Sequence, residues 1–317
     1  MNIEIVKTSD NFKEWLSIFG TEEFLQTKSD NYGWFVSDSF ILPFYIDKRA
    51  IFSKLVFTTN IVVVKEGNEE LFLDKVVVKS KELNIDLIAQ PLASAVFKSL
   101  PKDSRYIAWG SWIVNLELSE DELLKNIHSK HRNVIKKAMK DGVVIEETED
   151  INIIFNMIKE TMHRQNRAYV SKNEIANTKK FSKFYIAKKE GVIQGCAVVA
   201  FNNLGAYYLH GGSIARPHTG SLNYMHYYTM LELKKLGVKK YDFMGARPNV
   251  EKGTKLEGIQ RFKSRFGGEL HNGYLWKYEL KPLKVLLMIQ IQKMLFRLKS
   301  QHYLGDAIEQ ELLKCEK

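Results

Sequence analysis

The feature of this sequence that most constrains its fold is the order of elements between residues 150 and 245. A helical segment comes first, and two β-rich segments follow on either side of a Glu190-Gly191 turn. After a further strand, a helix begins at Ser221 and is ended by Gly237, a residue type that often follows the last helical turn. One more strand completes the set. Helix, hairpin, strand, helix and strand in this order predict an α/β domain with helices flanking a mixed sheet.

A looser version of this order precedes it. We expect helices at 11–19, 21–26 and 69–83, strands at 39–46, 60–65, 86–90 and 112–118, and a basic helix that Ser119 and Glu122 open with a capping box. This is the element order of acetyltransferase (GNAT)-like folds. A chain of 317 residues is long enough for two such domains. The predicted fold is therefore α/β with two tandem GNAT-like domains, at 1–145 and 146–280, and a C-terminal helical tail at 281–317.

Composition excludes several classes of protein. Hydrophobic residues make up 45% and charged residues 26% of the chain, as in ordinary globular proteins. No apolar run approaches the roughly 18–20 residues of a membrane span, and the N-terminus lacks the pattern of a secretory signal. Cys196 and Cys315 lie too far apart to suggest a disulfide framework or a metal site. We expect a cytoplasmic protein without a bound metal.

The positive charge is clustered. The net charge is +10, and residues 125–140 contain six Lys or Arg, two His and no acid. Residues 281–299 contain five Lys or Arg, again without an acid. The first cluster predicts either a surface that binds nucleic acid or a solvated helix face. The second predicts either a helix that packs on the protein or one that makes a peripheral contact with anionic lipid at the inner face of the membrane.

Six different short motifs follow one another along residues 20–270. They are Phe24-Leu-Gln-Thr, Ile113-Val-Asn-Leu with the basic helix after it, Thr161-Met-His-Arg164, Tyr208-Leu-His-Gly-Gly-Ser213, Tyr241-Asp-Phe-Met-Gly245 and the run from Gly258 through Phe262-Lys263 to Gly267-Gly268. In this order they resemble the Fem family of peptidoglycan-bridge aminoacyltransferases, which carry amino acids from charged tRNA to cell-wall precursors. The coiled-coil insertion of larger members has no counterpart here, so the chain resembles the shorter, arm-less members.

The resemblance implies roles for individual residues. The lysine of the Phe-Lys pair lies beside the reacting ester in the family, which makes Lys263 the candidate for stabilising the tetrahedral intermediate and Phe262 a substrate-binding neighbour. Lys28 and Arg164 fall where the family places cations that bind the precursor. The alternative for each cation is an ordinary surface charge. Bound tRNA would contact the basic helix through Lys130, Arg132, Lys136 and Lys137.

Other candidates follow from position in the predicted domain. Asp242 ends a strand and is either a catalytic carboxylate or a structural hydrogen-bond acceptor. Tyr208 and His210 are two residues apart on one strand, so we expect both on the same face, Tyr208 binding substrate and His210 accepting a proton. Arg216 and Arg247 follow strands and are further substrate-binding candidates. Cys196 lies in an apolar strand and is expected to be a core thiol.

The acyl donor is the least determined feature. Relatives that use acyl-CoA have a glycine-rich loop whose N–H groups bind the pyrophosphate. The segment 213–223 has one glycine and lacks this spacing, which favours aminoacyl-tRNA as donor and an amine of a UDP- or lipid-linked peptidoglycan precursor as acceptor. No tightly bound cofactor is expected. An acyl-CoA-dependent transferase acting on a sugar or another envelope polysaccharide precursor remains an alternative, as does a non-catalytic binding protein with this fold.

Overall fold

The computed structural model describes residues 1–49, 51–165, 167–298, 303 and 305–315. Its strands are β1 Glu4–Val6, β2 Tyr32–Val36, β3 Phe40–Arg49, β4 Phe52–Phe57, β5 Val62–Val63, β6 Leu87–Ile88, β7 Arg105–Asn115, β8 Val144–Glu147, β9 Ser182–Lys189, β10 Val192–Asn202, β11 Gly205–Ser213, β12 Lys240–Asp242 and β13 Glu269–Glu279. Its helices are α1 Glu22–Gln26, α2 Glu69–Glu82, α3 Glu120–Asn126, α4 Ser129–Lys140, α5 Ile151–His163, α6 Lys172–Thr178, α7 Ser221–Lys235, α8 Lys255–Ser264, α9 Pro282–Leu298 and α10 Ala307–Cys315.

The chain forms two compact units. The first unit comprises Met1–Gly110, Arg247–Asn249 and Asn272–Lys317, and the second comprises Ser111–Ala246 and Val250–His271. These bounds differ from the domain limits expected at 145 and 280. Residues 111–145 belong to the second unit because the end of β7 pairs with β12 and α4 packs against α7. The α/β class with mixed sheets is confirmed, since each unit combines antiparallel pairs with one parallel pair.

In the first unit, β1, β2, β3, β4 and β6 lie side by side, and the end of β13 pairs with β6. The core is aromatic. Phe57 lies 5.3 Å from Trp276 between ring centroids, and Phe40 lies 5.1 Å from Phe72 of α2. Because large rings bury much apolar area, this core holds α2 on the sheet.

In the second unit, the end of β7 is followed by β12, β11, β10, β9 and β8. Alternate strand residues face opposite layers. Val199 packs in a core with Met230 of α7, whereas its neighbour Val198 packs in a core with Ile154 of α5. The sheet is therefore covered by α4 and α7 on one face and by α5 on the other.

Two local predictions were wrong. Residues 11–19 form two 3-10 turns, Lys13–Trp15 and Ile18–Gly20, instead of a helix. Leu16 and Ile18 are both buried, and residues two apart cannot share one face of an α-helix. The single basic helix is divided into α3 and α4, because the buried Ile127 between them adopts an extended backbone.

The predicted tail helix is present as α9, although Lys299 lies outside the described residues. Among the helices that the structure describes, none combines the length and hydropathy needed to cross a lipid bilayer.

A substitution at Gly220, just before the first turn of α7, tests how closely α4 packs on α7. The φ of Gly220 is 86°, and a β-carbon built there would overlap the carbonyl oxygen of Val134. Gly237 has a similar φ of 78° with no heavy atom within 4 Å of such a carbon. Gly220→Ala is expected to lower the free energy of unfolding by about 3 kcal/mol or more, against about 1 kcal/mol for Gly237→Ala. Urea denaturation measures both, and equal losses would contradict the close packing.

Candidate active site

The backbone turns sharply where β12 ends. Met244 and Gly245 both have left-handed conformations, with φ of 50° and 62°. A non-glycine residue seldom adopts this conformation without support. The support comes from Asp242, whose Oδ1 accepts the N–H of Met244 at 2.7 Å and also a hydrogen bond from the Ser111 hydroxyl. Residues 242–245 are called the Asp242 corner below.

Lys263 reaches this corner from α8. The helix is capped by Thr254, whose hydroxyl oxygen accepts the N–H of Glu257, and Lys263 lies in its last turn. The Lys263 ammonium donates to the carbonyl of Met244 and, at 2.8 Å, to that of Gly245. An ammonium has three N–H groups, so one is left without a partner in the described part of the chain. This free donor is the central feature of the site.

The charges of the site are shaped by burial. Burial lowers the pKa of Lys263 to about 8, although the nearby Asp242 carboxylate raises it. Burial raises the pKa of Asp242 above its ordinary value, whereas the hydrogen bonds from Ser111 and Met244 oppose that rise. Among the described residues the two groups form no direct ion pair. Lys263 therefore keeps its charge near neutral pH while its side chain is partly buried.

An aromatic cluster adjoins the lysine. It consists of Tyr208, His226, Phe243, Phe262, Phe266 and His131. Burial lowers the pKa of His226 to about 3 and that of His131 to about 4, so both imidazoles are neutral near pH 7. The His226 Nδ1 lies 2.9 Å from the Tyr241 hydroxyl. Because both imidazoles are neutral, the cluster itself adds no charge beside Lys263.

Four predicted site residues are thus brought together in the second unit. Lys263 and Asp242 meet at the corner, Phe262 packs on the cluster beside Lys263, and Tyr208 packs 4.6 Å from His226 between ring centroids. Burial raises the pKa of Tyr208, so its hydroxyl stays protonated. The geometry makes Asp242 a residue that shapes the corner through hydrogen bonds.

His210 does not share a face with Tyr208, contrary to expectation. Tyr208 pairs with Val199 and His210 with Val198, so Leu209 is an extra residue in a β-bulge. Val198 and Val199 face opposite layers of the sheet. His210 therefore faces the α5 side, while Tyr208 faces α7. A bulge shifts the alternation by one residue, and sequence spacing alone does not reveal it.

The two arginines of the second unit differ in their contacts. Arg164 follows α5 and donates to the hydroxyl of Thr161 at 3.1 Å and to the carbonyl of Ser213 at the end of β11. Arg216 is exposed in the loop between β11 and α7 and has no hydrogen-bond partner in the part of the chain that the structure describes. Arg164 is thus fixed in place, and Arg216 is available to solvent.

Two predicted cations belong to the first unit. The Lys28 ammonium lies 5.2 Å from the centroid of the Phe24 ring. Arg247 lies over the Trp109 ring at 5.9 Å and forms an ion pair with Glu311 of α10. The charge of Arg247 is therefore already balanced within this unit.

The basic helix presents part of its charge to solvent. Lys130 and Lys136 are exposed and have no partner among the described residues, whereas Lys137 pairs with Asp141 at 2.7 Å. Arg132 donates to the carbonyls of Lys125 and Ile127 and so closes the end of α3. Two of the four predicted tRNA contacts are thus free cations on the outer face of α4, and two have structural contacts.

No protein-family model and no curated protein sequence matches the chain. Solved structures do. A crystal structure of FemX aligns with a TM-score of 0.69 at 15% identity, over 90% of this chain and 99% of that one. The chain has the FemX fold. The expected fold of the Fem family is thereby confirmed, with all but 1% of the FemX chain matched.

Two further structures align less closely. One is the C-terminal domain of a protein from Agrobacterium fabrum assigned as a lysylphosphatidylglycerol synthetase, with a TM-score of 0.53, 14% identity, and coverage of 84% of this chain and 90% of that one. The other is L-PGS from Bacillus licheniformis, with a TM-score of 0.50, 12% identity, and coverage of 82% and 88%. At these identities the likeness establishes the fold.

Sequence reasoning missed three residues of the site in this FemX fold. Ser111 supports Asp242, and His131 and His226 form part of the aromatic cluster. A signal for His226 was present, since it lies on the stripe of α7 that also buries Thr229, Met230 and Leu233. No sequence signal pointed to Ser111, because its role depends on Asp242, which lies 131 residues away along the chain.

The pKa of Lys263 can be measured directly. An NMR titration of the lysine Cε resonances, assigned by the signal lost in Lys263→Arg, is expected to give a midpoint of about 8. Asp242→Asn keeps the shape but removes the negative charge, so the midpoint should fall further. A midpoint at the ordinary lysine value of about 10.4, or one that Asp242→Asn leaves unchanged, would contradict this account of the site.

Proposed function

We propose that this protein is an acyltransferase in which Lys263 stabilises the oxyanion formed when an amine attacks an activated carbonyl. The observation that carries the proposal is the position of the Lys263 ammonium. Two carbonyls of the Asp242 corner hold it, and its third N–H is left to donate to a substrate oxygen. A preorganised donor in a poorly hydrated site is worth most where negative charge develops in the transition state.

Direct attack of the acceptor amine on the donor ester is the mechanism that these residues support. Cys196 is fully buried in β10, and burial raises the pKa of its thiol to about 12, so it is a poor covalent nucleophile. Asp242 is proposed as a positioning residue, because it fixes the carbonyls that hold Lys263 and raises the pKa of the ammonium. Tyr208 and Phe262 are proposed to line the pocket for the acyl group. His210 faces the opposite, α5 side of the sheet, so it is not proposed as the proton acceptor at Lys263.

The proposed donor is an aminoacyl-tRNA. The start of α7, where an acyl-CoA pyrophosphate would bind, is closed by the backbone of α4, since Gly220 lies directly against Val134. The His218 ring beside it contacts the Asp141 carboxylate at 2.9 Å, and a carboxylate repels a pyrophosphate. The exposed lysines of α4 instead offer point charges to an RNA backbone.

The proposed acceptor is an amine of an anionic, phosphorylated or lipid-linked cell-envelope precursor. Arg164, which donates to the Ser213 carbonyl, and the exposed Arg216 are the cations of the second unit proposed to bind it. The name of the Agrobacterium fabrum neighbour places it in the synthesis of an aminoacylated phospholipid, which supports a donor and an acceptor of this kind.

Replacing Lys263 is the direct test. Lys263→Met is expected to lower the single-turnover transfer rate by about 100-fold or more, as loss of an oxyanion donor does. Lys255→Met, at the exposed start of the same helix, is the matched control and should keep its rate. Because the charged ammonium of Lys263 stabilises an oxyanion much better than the neutral amine does, the wild-type rate should fall as the pH rises through about 8. Lys263→Arg should lose this fall, since arginine stays charged.

The outcomes separate the alternatives. A Lys263→Met protein that folds normally and transfers at the wild-type rate would eliminate the oxyanion role. Transfer from acyl-CoA, with none from charged tRNA, would replace the donor but keep the enzyme class. No transfer from either donor to any envelope precursor would leave a binding protein with the FemX fold.

The proposed tRNA surface predicts a salt effect. Lys130→Gln combined with Lys136→Gln should weaken tRNA binding and lower the slope of log affinity against log salt by about one per lysine. Lys172→Gln combined with Lys180→Gln changes two exposed lysines elsewhere in the second unit and is the control. Filter binding at several salt concentrations measures both slopes, and equal slopes in the two double variants would exclude α4 as the tRNA surface.

A further inference from the structure

Helix α9 exposes a continuous apolar stripe. The stripe consists of large apolar side chains spaced three or four residues apart, namely Leu283, Leu286, Leu287, Ile291, Met294, Leu295 and Leu298, and all of them are exposed. Leu283 is 85% and Leu298 75% exposed. Residues at this spacing form one face of a helix. Soluble monomers seldom present an apolar face of this length to water, and such faces usually mark an interaction site.

The orientation of α9 is fixed from its other side. Val285 is buried against Phe52 and Leu87 of the first unit. The buried Asp86 carboxylate forms ion pairs with Lys281, at 2.9 Å, and with Lys284, at 2.8 Å. Burial by itself would raise the pKa of this carboxyl, but the two ammonium groups lower it to about 2. The helix is therefore held by one face, and the apolar stripe is the face that remains outward.

The charge of α9 is of one sign. From residue 280 to residue 298 there is no Asp or Glu. Asp86 balances the two lysines at the start of the helix, whereas Lys293 and Arg297, four residues apart, are exposed beside the stripe with no partner among the described residues. The apolar stripe is thus bordered by free positive charge along one edge.

We propose that the α9 stripe docks on the surface of an anionic lipid bilayer. Its leucines would enter the boundary between headgroups and acyl chains, and Lys293 and Arg297 would reach lipid phosphates beside them. An anionic bilayer would bury the apolar side chains of the stripe and supply negative charge to the unpaired cations. The inference concerns where the protein is held, and it does not depend on the proposed transfer reaction.

A second copy of the chain fits this surface less well. Two α9 helices joined through their stripes would bring the cations of both copies to the border of the contact, and α9 supplies no acid to pair with them. Like charges placed close together disfavour such an interface. An anionic lipid surface supplies the missing opposite charge.

Vesicle flotation of the full chain tests the proposal. The vesicles are phosphatidylcholine alone, or phosphatidylcholine with an equal amount of phosphatidylglycerol. The wild-type protein should partition at least tenfold better onto the anionic vesicles. Leu287→Gln combined with Met294→Gln should lower that partition at least tenfold, because two inserted side chains are lost. Lys293→Gln combined with Arg297→Gln should lower it about fivefold per cation, on anionic vesicles only.

Control measurements distinguish docking on a lipid surface from docking on a second copy of the chain. Val78→Gln alters an exposed apolar residue of α2 and should leave the partition unchanged. Equal binding of the wild-type protein and the stripe variant to anionic vesicles would overturn the proposal. So would a wild-type dimer, seen by light scattering, that binds no vesicles and that the stripe variant converts to monomer. A wild-type protein that binds anionic vesicles but shows no transfer activity would contradict the proposed function and leave the membrane proposal intact.

Discussion

The hydrogen bonds from the Lys263 ammonium to the Asp242 corner are the interaction on which the rest of the site depends. Met244 and Gly245 turn their carbonyls toward the lysine only because both adopt left-handed backbone conformations. Asp242 stabilises that turn through the N–H of Met244. The carbonyls in turn provide the polar contacts that an ammonium needs when it leaves water. Without the turn, a lysine on α8 would be one more solvated cation.

The surroundings of this lysine explain why a single charge can matter. The imidazoles nearest to it, His131 and His226, have strongly lowered pKa values and carry no charge near neutral pH. The rings of Phe243, Phe262 and Phe266 pack around His226 and add no charge. In such a setting an ionic interaction is screened much less than at the surface. The same burial that lowers the pKa of Lys263 would strengthen its interaction with a developing oxyanion.

The protein uses buried ion pairs differently in the first unit. Asp86 neutralises two lysines at the start of α9, and Lys277 is enclosed between Asp306 and Glu309 near α10. These pairs attach the C-terminal helices to the sheet, and they leave the remaining cations of α9 without partners among the described residues. The cations of one sequence cluster, residues 281–298, are thus divided by the fold into lysines that form ion pairs with Asp86 and cations that are free to bind.

The sequence by itself determined the α/β class, the hairpin at Glu190 and the capping box at Ser119, because turn residues and caps act over a few neighbouring positions. Only the tertiary structure decided that a bulge at Leu209 separates His210 from Tyr208. It also decided which cations are balanced and joined Ser111 to Asp242 across 131 residues. Strand register, burial and pKa shifts depend on atoms distant in sequence, so no local pattern specifies them.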